Sequence, residues 1–224
     1  GLSYSFLMET LEEKYGPRQA SGRVILAHLG SGASLAAVHH RQCVDTSMGM
    51  TPAGGLVMGT RSGDLDPGLM LYFLQHEQLK PSELNDLINH GSGLLGVSGT
   101  TSDMRDLLQM EPTDSRAKEA IALFCYQARK WTGAFAAALN GLDSLVFSGG
   151  IGEHCAVVRS RICEGLGYLG VRLDERRNAA DDEIISSPDS DVMVYVLPTD
   201  EERMIARQAC RLVCDEMDQN KGES

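Results

Sequence analysis

Leu142-Asp143-Ser144-Leu145-Val146-Phe147-Ser148-Gly149-Gly150-Ile151-Gly152-Glu153 joins a short apolar run to a turn dense in glycine. The run has the length of a buried strand, and the turn is one that glycine makes without strain. A second stretch repeats the arrangement, with Val24 to Ala27 leading into His28-Leu29-Gly30-Ser31-Gly32-Ala33-Ser34. Main-chain N–H groups left bare at such turns can sit against a phosphate or a nucleotide. One glycine-rich turn is weak evidence, because most are tight connections. Two of them, far apart in sequence, point to one nucleotide held from two sides.

The flanking sequence builds an α/β domain around these turns. Leu2, Phe6, Leu7 and Leu11 recur near helical spacing, which predicts a helix from Leu2 to Tyr15 stopped by Gly16-Pro17. Arg23 to Thr46 predicts an antiparallel three-strand meander that turns at His39-His40-Arg41. Thr51 to Pro67 is rich in Gly, Pro and Asp, and too long for an idle connection. Helices follow from Asp66-Pro67 to about His76, from Pro81-Ser82 to about Asn89, and from Ser102-Asp103 to about Met110. Asp114 to Leu139 predicts a long apolar helix that stops at Asn140-Gly141. A strand over Ser144 to Phe147, a helix from about Val157 to Glu164, a last strand over Val192 to Leu197 and a helix from Asp200 to about Met217 complete the domain. The expected sheet is mixed and flanked by helices, within one domain over 1–217, with 218–224 as a polar tail.

Composition narrows the partners. The net charge of −11 argues against nucleic acid or an anionic membrane surface. No apolar stretch approaches the length of a membrane span, and the N-terminus lacks a basic region leading into an apolar one. The six cysteines form no CxxC and no zinc-type cluster with histidine. These features together predict a cytoplasmic protein with reduced thiols.

Four motifs in order then carry a family resemblance. His28-Leu29-Gly30-Ser31-Gly32-Ala33-Ser34, Gly59-Thr60-Arg61-Ser62-Gly63-Asp64-Leu65-Asp66-Pro67, Phe147-Ser148-Gly149-Gly150-Ile151-Gly152-Glu153 and Pro198-Thr199-Asp200-Glu201-Glu202 closely resemble the acetate kinases. The resemblance runs from residue 1 to about Arg211. It implies a ribonuclease H-like, actin-like ATPase domain, the C-terminal and nucleotide-binding one of a two-domain kinase. It also implies Mg2+ with ATP or ADP, acetate or a similar short acid as acceptor, and a homodimer paired through the helical face that carries Asp114 to Leu139. Gly1-Leu2-Ser3-Tyr4 resembles the segment after a catalytic histidine at the domain junction, so the N-terminal domain is expected outside this sequence and the isolated chain is expected to be inactive.

Roles follow residue by residue. Arg61 matches the catalytic arginine, and a guanidinium suits an array of phosphoryl oxygens. A plain alternative is an ion pair of Arg61 with Asp64 or Asp66 that stiffens the loop. His28, Leu29, Gly30, Ser31 and Gly32 match the phosphate turn, where Ser31 replaces the family's usual asparagine. His28 could equally be a core histidine at a strand end. Gly150, Ile151, Gly152, Glu153 and His154 match the adenosine motif, with His154 again in place of asparagine. Asp103, Met104 and Arg105 match the segment lining the adenine and ribose pocket, although an aspartate N-cap beside a solvated arginine explains two of them. Glu201 matches the magnesium-associated glutamate, and acidic residues in a first helical turn are favoured without any metal. A nucleotide-binding switch module of the same superfamily remains the rival reading, and a butyrate or propionate kinase the nearer one.

Overall fold

A computed structural model describes residues 1–207, 209 and 210. Five strands form one mixed sheet in the order β3-β2-β1-β4-β5. They span Val24–Leu29 (β1), Ala33–His39 (β2), Gln42–Thr46 (β3), Ser144–Ser148 (β4) and Met193–Val196 (β5). The pairs β1–β2 and β2–β3 are antiparallel, as the meander required, while β1–β4 and β4–β5 are parallel.

Alternation along the central strand sends its side chains into two cores. Ile25, Ala27 and Leu29 pack beneath α7 (Ser115–Ala138) together with Ile121, Phe124 and Phe135. Val24 and Leu26 face Leu7, Met8 and Leu11 of α1 (Leu2–Tyr15) on the opposite side. The apolar character of α7 is thereby spent on the core. It is α3 (Pro67–Gln75) that has no buried residue, and it exposes Leu69, Leu71, Tyr72 and Leu74.

The expected helix starts are present. Asp66, Asp103 and Asp114 each accept a main-chain N–H as N-caps of α3, α6 (Met104–Met110) and α7. Five elements escaped the sequence reading: α2 (Pro17–Ala20), α5 (Gly93–Ser98), α8 (Gly149–His154), α10 (Glu175–Ala179) and a 3₁₀ turn over Gly167–Leu169. After β4 there is no open turn. The chain enters α8 (Gly149–His154) directly and passes through Cys155 into α9 (Ala156–Cys163). The expected C-terminal helix is seen over 201–207, whereas its continuation to Met217 and the tail 218–224 lie outside the described residues. No helix among the described residues is long and apolar enough to cross a membrane.

Candidate active site

The parallel register of β1 and β4 pairs His28 with Ser148, so both glycine turns leave the sheet at the same edge. The carboxyl ends of parallel strands are where open α/β sheets place their ligands. His28 Nδ1 lies 3.2 Å from Ser148 Oγ, which links the two strand ends by side chains as well. Gly149 is required by the crossing: its φ is 75°, and a Cβ there would stand 2.6 Å from the Leu29 carbonyl oxygen.

Two depressions open at this edge. The larger, about 620 Å³, is bounded by Gly30, Ser31, Asp103, Met104, Arg105, Gly150, Ile151 and His154. That volume lies within the range of small-molecule sites. The smaller, about 290 Å³, collects His28, Gly32, Ser34, Arg61, Glu201 and Ser3. Gly30 and Ser31 line both. Twelve of the fifteen residues singled out by sequence therefore line one depression or the other. Leu29 instead buries its side chain in the core, and Gly152 is buried within α8. Glu153 turns its carboxylate back to accept from Gly149 N at 2.8 Å.

The loop bearing Arg61 is fastened from several directions. Gly59 N donates to the Ser31 carbonyl at 3.0 Å, tying it to the first glycine turn. Leu94 N and Leu95 N of α5 donate to the Met58 and Gly59 carbonyls, each at 2.9 Å. Asp64 accepts from Gly55 N at 2.7 Å, and Asp66 caps α3. Both carboxylates offered as partners for Arg61 are thus engaged elsewhere. Arg61 Nη1 reaches only the Pro52 carbonyl at 3.4 Å and Met58 Sδ at 3.6 Å. Among the described residues, Arg61 forms no ion pair with a carboxylate.

The electrostatics are local. Burial holds His28 below the ordinary imidazole range, opposed by the charges of Glu201 and Glu153. Asp103 is pushed down to about 2, first by its side-chain bond with Arg105 and then by the Arg105 main-chain N–H. Glu201 accepts from the Ser3 hydroxyl. Among the described residues no three His, Cys, Asp or Glu come together as a metal cage. One carboxylate beside one hydroxyl suits a hard cation that keeps most of its ligands as water and phosphate oxygen. Ser102, Leu108 and Cys155 also line the larger depression, and sequence reading missed them. They neighbour the motifs without belonging to them.

Fold and cleft together define the class: an α/β domain of the actin-like ATPase fold with a cleft at the strand ends. The chain belongs to the acetokinase family, whose model matches residues 1–207. It is 48% identical over 214 residues to the acetate kinase of Rhodopseudomonas palustris, covering 95% of this chain and 53% of that protein. It is 45% identical over 216 residues to the acetate kinase of Symbiobacterium thermophilum, with 95% and 54% covered. Among solved structures, the acetate kinase of Porphyromonas gingivalis superposes with a TM-score of 0.91 at 40% identity, over 95% of this chain and 54% of that one. A propionate kinase from Francisella tularensis superposes with a TM-score of 0.86 at 40% identity, over 92% and 53%. The chain spans about half the length of the curated relatives it matches.

Proposed function

We propose that this chain is the nucleotide-binding half of an ATP-dependent acetate kinase. The whole enzyme reversibly transfers the γ-phosphoryl of ATP to acetate, giving acetyl phosphate and ADP. Propionate is a second acceptor by similarity to a propionate kinase. The carrying observation is Arg61, a guanidinium without a carboxylate partner among the described residues, standing in the same depression as the first glycine turn. Phosphoryl transfer asks the protein for positioning and for stabilisation of charge spreading over the transferred group. A guanidinium not neutralised by a neighbouring carboxylate, beside a phosphate turn, supplies the second. A module that only switched shape would leave Arg61 without a task.

In this reading the base and ribose lie in the larger depression against Gly150, Ile151 and Met104, and the phosphates extend past Gly30 to Gly32 toward Arg61 and His28. Glu201, with the Ser3 hydroxyl, would help hold the Mg2+ that accompanies the phosphates. When bound, that ion neutralises phosphate charge. The partner is a second copy of the chain. The exposed apolar side chains of α3 support pairing there, in place of the α7 face that the sequence pattern favoured.

Calorimetry of the chain with ADP tests the reading. A Cβ at Gly150 would meet nothing within 4 Å, so Gly150→Val adds bulk that starts from open space at the cleft wall. Expected is ADP binding by the wild-type chain and its loss in Gly150→Val. Equal affinity in both would put the nucleotide elsewhere.

A further inference from the structure

The junction of α8 and α9 carries Ile151, His154 and Cys155 into the larger depression, yet it contains no loop to absorb adjustment. Arg159, fully buried in α9, fixes it from behind. Its Nη1 donates to the carbonyls of Gly152 and Glu153, each at 2.9 Å. Its Nε donates to Asn178 Oδ1 at 2.8 Å, and its Nη2 to the Asn178 carbonyl at 2.7 Å and Asp181 Oδ1 at 2.5 Å. A guanidinium has five N–H donors in a rigid fork, and here five bonds are made.

We propose that Arg159 is a positioning residue for the base-side wall of the cleft, acting through the α8 carbonyls of Gly152 and Glu153. The inference rests on the nucleotide reading above. A simple brace between α9 and α10 would need only the three bonds to Asn178 and Asp181. The other two end on Gly152 and Glu153, immediately before His154 and Cys155, and they determine how the wall is presented. The outer supports are themselves anchored. Asn178 Nδ2 donates to the Ala156 carbonyl at 3.0 Å and to Ser160 Oγ at 2.7 Å. Asp181, in the left-handed region at φ 53°, brings its carboxylate to the network from a side chain 40% exposed. A surface residue thereby communicates with the cleft wall through one buried cation. Lysine would preserve the charge but not the fork.

The test uses this chain with two probes, ADP and inorganic tripolyphosphate, in calorimetry. Arg159→Lys should weaken ADP about tenfold, the scale of losing charged hydrogen bonds that orient a binding wall, and leave tripolyphosphate within about twofold. Asp181→Asn keeps a residue type that tolerates the left-handed backbone and removes only the charge, so a loss of about threefold for ADP alone is expected. That second variant decides the matter if Arg159→Lys does not fold. A folded variant that binds ADP as the wild type does, or loses both probes equally, overturns the positioning role. Wild-type chain that binds no ADP, or binds it equally with Gly150→Val, overturns the cleft reading and this inference with it.

Discussion

Arg61 lies against Gly32: a methyl group on that glycine would stand 3.4 Å from Nη1. The contact brings the guanidinium of the smaller depression onto the backbone of the first glycine turn. A Cβ at position 32 would come into van der Waals contact with the guanidinium, so the glycine leaves that face of Arg61 open beside the turn.

In the full-length enzyme, Arg61→Ala should lower kcat by about 10²–10³, as removal of a transition-state donor does, while the Kd for ADP changes little. Steady-state rates paired with calorimetry read this split. Near-normal turnover would return Arg61 to a structural role.

Gly93 sits at φ 64°, and a Cβ there would stand 2.2 Å from the Met58 carbonyl oxygen and 2.8 Å from that of Arg61. Gly93→Ala should therefore destabilise the domain by about 3 kcal/mol, or about 6–12 °C, from left-handed strain and overpacking together. Gly167→Ala, where a Cβ meets nothing within 4 Å, is the control. Matching thermal melts of the two variants would refute the claim that the Arg61 loop is locked through Gly93.

His28 predicts a pH dependence of stability. Burial lowers its folded value, so the unfolded chain takes up a proton first as pH falls through about 6.5. Stability is fully present above that pH and declines below it. Asp143 and Glu111, held low first by bonds from Arg23 and Arg161, contribute at more acidic pH, below the ordinary carboxylate range. Melting temperatures from pH 7 to 5.5 should fall for the wild type and flatten in His28→Gln. An unchanged slope in the variant would remove His28 as the cause.

Sedimentation at micromolar concentration should give a dimer, and the double variant Leu71→Glu with Tyr72→Glu a monomer. These two side chains are 56% and 47% exposed on α3, and charge there would oppose burial against a second copy. A monomeric wild-type chain counts against pairing.

Much of this was legible from strands and glycines. The runs before Gly30 and Gly149 are apolar and short, and their turns force a change of direction, so β1, β4 and the cleft between them could be read directly. The helix α5 could not, because Gly93 and Gly96 lower helix propensity and only its bonds to the Arg61 loop reveal its use. Nor could α8 be told from a turn, since three glycines in six residues obscure a helix that tertiary packing stabilises. Arg159 left no signal at all. An arginine among Val157, Val158 and Ile162 reads as a solvated position until Asn178 and Asp181 come back to meet it across sequence.

The pairing of His28 with Ser148 makes the sheet a caliper. One jaw carries the turn that faces Arg61 and the other the wall near Met104, and the distance between them is set by strand alignment rather than by loops. Sliding β4 past β1 by one residue would move one jaw about 3.3 Å and turn every β4 side chain to the opposite face. Insertions in the loops of this domain can therefore be absorbed, whereas a single insertion in either strand would recalibrate the length of ligand that fits.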